Sequence, residues 1–176
     1  MKILHIYPPY DFKDLYPQFM VKSKKGSGLV PGHLIKLGLL YIASYLRQEG
    51  HKVSFIDGGF NSQNQVIKYI YKTKPDMLLL SISTNAWKKN IKFISKLKKL
   101  FPKKEIVIGG PHPTGVRELC LTECSDVDFV CVGEGEHTMA DLCNTLENKK
   151  DLKNVKGIIY RNKGKIIMNQ NQPLIK

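Results

Sequence analysis

A doubly wound α/β fold on a five-stranded parallel sheet is what this sequence predicts, from three observations. Short β-branched runs alternate with amphipathic stretches along the chain, the pattern of βα units stacked into a parallel sheet. One run, DMLLLSIS (76–83), is apolar almost throughout, as a central strand covered on both faces must be. The segments leaving these runs, at Pro8-Pro9, Ser83-Thr84-Asn85, GGPHP and GEGE, break regular structure with small, polar or proline residues. They fall where such a sheet presents its ligand-facing loops.

The elements follow in order. KILHIY (2–7) is the first strand. PPYDFKDLYPQFMVKSKKGSGLVPG has no clear period, and its length marks it as a functional loop, a flap over the site. HLIKLGLLYIASYLRQEGH reads as a helix with Leu34, Leu37, Leu40, Tyr41 and Tyr45 on its sheet-facing side and a stop at Gly50. KVSFID (52–57) is the second strand. QVIKYIYK is a short helix turning Val66, Ile67, Ile70 and Tyr71 inward. After the third strand, a basic amphipathic helix over 87–101 aligns Ile91, Ile94, Leu97 and Leu100. EIVIG is strand four, a helix spans 115–124, and VDFVCV (127–132) is strand five, leading through GEGE into a helix. GIIYRNKGKIIMN is a hairpin turning at Asn162-Lys163-Gly164. The sheet order expected is 2-1-3-4-5, flavodoxin-like or Rossmann-like, with the switch point between strands one and three. Residues 1–150 form the α/β domain and 151–176 the hairpin extension.

Composition bounds the function. The 42% hydrophobic and 24% charged content is that of an ordinary globular chain. No apolar run approaches the roughly 20 residues of a membrane span, and no signal peptide precedes the first strand, so a cytoplasmic protein without a membrane partner is expected. The net charge of +13 raises a nucleic-acid partner. Lysine predominates over arginine without an aromatic-interleaved stripe, which favours a solvated basic surface instead. Cys120, Cys124, Cys131 and Cys143 lack metal-ligand spacing: CLTEC opens like CxxxCxxC, but the next position is Val127. They read as small buried hydrophobes, and no metal ligand is assigned.

A dinucleotide site would place GxGxxG after strand one, where this chain has YPPYD. The GxG of GEGEHT is flanked by acids that repel a pyrophosphate, and no P-loop is present. A phosphoacceptor aspartate at the end of strand three is replaced by serine. What remains is a large, mostly uncharged ligand resting on loop backbone, where glycines allow close approach.

LGLLYIASYLRQEGHKVSFID, PDMLLLSISTNAW, IVIGGPHPTG and VDFVCVGEGEHTMADL together resemble the N-terminal cobalamin-binding domain of cobalamin-dependent radical S-adenosylmethionine enzymes. The resemblance runs from KILHIYPP to the hairpin. Ser81-Ile82-Ser83 stands at the SxL position, and 25 residues, 84 to 108, separate it from Gly109-Gly110. DxHxxG is absent; His33 has no aspartate two residues before it. The resemblance implies a base-off cobalamin, its nucleotide tail between strands one and three and no histidine from this chain as lower ligand. It implies a following radical domain with a 4Fe-4S cluster and S-adenosylmethionine, neither bound here, in a methyltransferase or cyclase-like enzyme. This chain would then bind cofactor without catalysing, and no catalytic residue is assigned. The alternative is a docking domain of the same fold that has lost the cofactor.

The candidate cofactor-binding residues are Pro8, Ser81, Ser83, Thr84, Asn85, Gly109, Gly110, Pro111, His112, Gly133, Glu134, Gly135 and Glu136. Pro8 stiffens the exit of strand one, and the glycines clear space for the macrocycle. Ser83, Thr84 and Asn85 serve corrin amides or the tail. His112 steadies its loop by hydrogen bonds or meets the corrin edge. Glu134 and Glu136 organise a helix start, where carboxylates are favoured, and bond corrin amides. His51 and His137 read as surface residues and His5 as a satisfied core histidine.

Overall fold

The computed structural model describes residues 1–10 and 37–175. Most of the segment read as a flap, together with His33, Leu34 and the expected start of the first helix, lies outside them. Seven strands form one sheet: β1 (Lys2–Tyr7), β2 (Lys52–Asp57), β3 (Met77–Ser81), β4 (Glu105–Gly109), β5 (Phe129–Cys131), β6 (Ile158–Asn162) and β7 (Lys165–Met168), ordered 2-1-3-4-5-6-7. The first five are parallel, in the expected order. The expectation of a five-stranded sheet with a separate hairpin needs correcting. β6 pairs antiparallel with β5, Val130 opposite Ile159, so the hairpin extends the same sheet. Its two-residue turn places Lys163 and Gly164 at φ 48° and 79°, the paired left-handed geometry that matches strand twist.

Six α-helices, α1 (Leu37–Gln48), α2 (Gln63–Thr73), α3 (Trp87–Leu100), α4 (Pro111–Val116), α5 (Leu119–Glu123) and α6 (Glu136–Glu147), and two 3-10 turns, Thr84–Ala86 and Leu152–Asn154, complete the described chain. Because strand side chains alternate, the sheet builds two cores. Leu4, Leu78, Leu80, Ile106, Ile108 and Val130 face α2, α3 and α5. Ile3, Leu79, Val107, Phe129 and Cys131 face α1 and α6. The helix faces differ in part from the reading above. α1 buries Leu39, Ala43 and Leu46 and leaves Leu37, Leu40 and Tyr41 exposed. Tyr71 on α2 and Leu100 on α3 also stay exposed. The helix predicted over 115–124 is instead two short ones, broken at Arg117, whose φ is 54°.

Local chemistry fixes the ends. Ser62 caps α2 in a capping box with Gln65, satisfying two orphan amides at once. Arg161 on β6 reaches under α5 and donates to the carbonyls of Val127 (2.7 Å), Cys124 (3.2 Å) and Leu121. One guanidinium thereby ties the hairpin to the turn before β5. Arg161→Ala strands those acceptors and is expected to cost roughly 2–3 kcal/mol, read as a lower midpoint in urea unfolding with an unchanged m-value.

Candidate functional site

The end of the sheet where β1, β3, β4 and β5 exit is organised by backbone. The Ile82 amide donates to the Gly109 carbonyl (2.8 Å), and the Ile82 carbonyl accepts from the His112 amide (3.2 Å). This lock needs Gly110. Its φ is 102°, and a β-carbon there would lie 3.0 Å from both the Ile82 carbonyl oxygen and Ser81 Oγ. The next loop is tied to it, because the Gly133 amide donates to Thr114 Oγ1 (3.1 Å). GGPHPT and GEGE are thus two sides of one rim.

Inside the rim a cleft of about 320 Å³ runs down between the sheet and the α1–α6 pair. Its mouth is Ser81, Gly109, Gly110, Pro111 and the 133–136 loop; its walls are Leu39, Ile42, Leu79, Cys131 and Met139, with His5 lower on β1. It lies at the β1/β3 switch point on predominantly apolar walls. Gly135 brings the loop against α1: a β-carbon there would meet Ile42 Cδ1 at 2.6 Å.

Of the residues read from sequence, Ser81, Gly109, Gly110, Pro111, Gly133, Glu134, Gly135 and Glu136 line this cleft. Ser83, Thr84 and Asn85 stand outside it, in the 3-10 turn beyond β3. Pro8 sits farther along, where a β-carbon on Gly58 would lie 2.5 Å from the Pro8 carbonyl carbon. Two strand exits therefore pack through one glycine. His112 is on the opposite face, buried, its ring 4.7 Å from that of Trp87. Neither ring nitrogen has a hydrogen-bond partner, so the expected loop bonds come from its backbone rather than its imidazole. Trp87 in turn donates to Glu123 (2.5 Å). Burial holds the His112 pKa below its ordinary value, against the pull of Glu123.

Glu134 is engaged by the chain itself, accepting from the Ile175 amide (2.6 Å). Glu136 is the first residue of α6, where a carboxylate opposes the positive helix end. His51, expected at the surface, is 6% exposed, with Nδ1 3.1 Å from the amino terminus. His137 lies half-buried, Nδ1 2.8 Å from the Tyr45 hydroxyl. All four cysteines are buried thiols; burial pushes Cys131, whose sulfur side faces the cleft, up to about 12.

Sequence reasoning missed Leu39, Ile42, Leu79, Met139 and His5 as cleft residues, since each reads as core. His5 differs from the reading in one respect: it is 1% exposed, yet its Nδ1 has no partner. Desolvation holds its pKa down at about 3, against a hydrogen bond to the Leu39 backbone. The ring is neutral.

No helix among the described residues is long and apolar enough to cross a membrane. In sequence the chain is 33% identical over 177 residues to an uncharacterized methyltransferase of Pyrococcus horikoshii, covering 99% of this chain and 36% of that protein. It is 34% identical over 179 residues to an anaerobic magnesium-protoporphyrin IX monomethyl ester cyclase of Synechocystis, covering 99% and 34%. The chain thus spans about a third of the length of these relatives. The cobalamin-dependent S-adenosylmethionine radical enzyme OxsB, solved with aqua-cobalamin and S-adenosylmethionine, superposes with a TM-score of 0.79 at 22% identity, over 98% of this chain and 22% of that one. The radical S-adenosylmethionine methyltransferase TsrM of Kitasatospora setae, solved with cobalamin and a [4Fe-4S] cluster, gives 0.75 at 14%, over 99% and 30%. These two establish the fold. Residues 27–143 match the family described as B12 binding domain, and the chain belongs to that family.

Proposed function

We propose that this chain is the corrinoid-holding module of a cobalamin-dependent radical S-adenosylmethionine enzyme of the methyltransferase or cyclase type. The observation that carries the reading is the open apolar cleft at the switch point, entered over four glycines. At about 320 Å³ it lies at the low end of ligand pockets, so it takes part of a large ligand rather than the whole. A nucleotide tail fits that description, and the corrin ring would then rest on the rim outside. Gly109 and Gly133, where a β-carbon would meet nothing closer than 3.5 Å, leave the ligand room to approach the backbone. Leu39, Ile42, Leu79 and Met139 enclose the tail base, and Ser81, the half-buried Ser83 and the exposed Thr84 and Asn85 offer hydroxyl and amide groups to the corrin amides.

The bound form proposed is base-off, without a histidine from this chain on cobalt. β1 leaves the sheet through Pro8-Pro9, His5 lies low in the cleft at 1% exposure, away from the rim, and His112 is held against Trp87 on the other face. Cobalt bound in this way would supply methyl-transfer or radical chemistry. The residues here hold and orient the corrinoid; the 4Fe-4S cluster and S-adenosylmethionine belong to a radical domain beyond this chain. Residues 1–150 act as the binding unit and 151–176 lead toward that domain, with Glu134 fastening Ile175 beside the mouth. The open cleft favours this reading over a docking domain that has lost its cofactor, in which bulky side chains would fill the slot. Gel filtration after incubation with hydroxocobalamin is expected to yield a red protein peak. A colourless peak with all the corrinoid eluting late rejects the proposal.

A further inference from the structure

The positive charge of this chain is concentrated. Residues 63–104 carry eleven lysines against the single Asp76, so ten of the thirteen net positive charges lie in this segment and the remainder is nearly balanced. The structure lays it out as one surface. α2 and α3 lie on the same side of the sheet, opposite the cleft, and Tyr71 meets Phe101 with ring centroids 4.8 Å apart. Neither helix contains an acidic residue. Lys72, Lys74, Lys92, Lys96, Lys99 and Lys103 are exposed, and none of these six has a side-chain partner among the described residues. Asp76 is occupied by the Lys2 amide (2.7 Å).

Helix stability does not account for this arrangement. Lysines in a last turn are favoured by the macrodipole, but Lys88 and Lys89 open α3, where cations are disfavoured. Neither helix carries an acid in its first turn. Two large apolar side chains stand among the charges at the helix ends: Tyr71 is 56% and Leu100 42% exposed.

We propose that the α2–α3 face docks on an anionic phospholipid surface, in place of the merely solvated basic surface without a membrane partner expected from the sequence. Lysines on long stems are point charges suited to a fluid headgroup layer, and Tyr71 and Leu100 are placed to enter the interface between them. Specific RNA binding would call for guanidinium forks and a run of stacking aromatics, and residues 63–104 contain no arginine. The cleft opens on the other side of the sheet, so docking leaves it accessible.

The test is co-sedimentation of the full chain with vesicles of phosphatidylcholine alone and of phosphatidylcholine with phosphatidylglycerol, at rising salt. Binding is expected only to the anionic vesicles, and it should fade as the Debye length shrinks toward about 8 Å at physiological ionic strength. The triple variant Lys96→Glu, Lys99→Glu, Lys103→Glu is expected to lower the partition coefficient by about tenfold or more. Leu100→Ser is expected to weaken it at fixed charge, and circular dichroism checks that both variants fold. Equal sedimentation with neutral vesicles, or none with either, overturns the proposal. So does retention of an RNA homopolymer at a salt concentration that already releases the vesicles.

Discussion

Gly109→Leu is expected to leave the fold intact and to weaken hydroxocobalamin binding by about a hundredfold, or roughly 2.7 kcal/mol. The separation of the two effects comes from geometry. Gly109 ends β4 without a positive φ, and a β-carbon there meets only Cys131, at an ordinary contact distance of 3.5 Å from its Cβ. A leucine can therefore be built on the existing backbone, and its branched end has only the cleft to occupy. Gly110 provides the contrast. Even alanine at 110 presses on the Ile82 carbonyl in a left-handed conformation, so Gly110→Ala is expected to lose about 1–3 kcal/mol of stability as well. Equilibrium dialysis with each variant, alongside thermal unfolding, separates obstruction from misfolding. Wild-type affinity in a folded Gly109→Leu protein would place the ligand elsewhere.

The second large effect is a loss of stability in mild acid. His5 is neutral when folded, with its pKa held at about 3 by burial, whereas the unfolded chain titrates near 6.5. Above pH 6.5 neither state binds the proton and the residue contributes no pH dependence. Below it the unfolded state takes up a proton that the folded state refuses, so stability falls by about 1.4 kcal/mol per pH unit down toward pH 3. His51 and His112, both lowered by burial, add to the same trend. His5→Leu removes the first contribution. Between pH 6.5 and 4.5 the wild type is expected to lose about 2–3 kcal/mol more than this variant in denaturant titrations. Parallel pH profiles would contradict a buried, neutral His5.

The strands were legible because a parallel sheet buried on both faces demands uninterrupted apolar runs, and DMLLLSIS or EIVIG can hardly be anything else. The rim was legible for the complementary reason: Gly109-Gly110 and Gly133-Glu134-Gly135 break those runs at matching ends. The cleft walls were not. Leu79 and Met139 carry the same local signal as any core residue, and only the gap between α1 and α6 turns them into lining. The orientation of α1 was misread because its sequence is apolar around most of the circumference, so periodicity cannot choose between Leu39, Ala43 and Leu46 and the exposed Leu37, Leu40 and Tyr41. The pairing of β6 with β5 is a long-range choice between sheet edges, with no local mark in GIIYRN. His112 looked like a ligand-facing group through its setting between prolines; the short helix α4 carries it instead to the far side of the sheet.

Calorimetric titration of the chain with cobalamin and with cobinamide, which has the same corrin ring but no nucleotide tail, tests the cleft most directly. If the space between the sheet, α1 and α6 receives the tail, cobalamin binds and cobinamide binds at least about tenfold more weakly, a difference of roughly 1.4 kcal/mol. Equal affinities for the two would mean that the cleft contributes nothing, and the assignment built on it would fail.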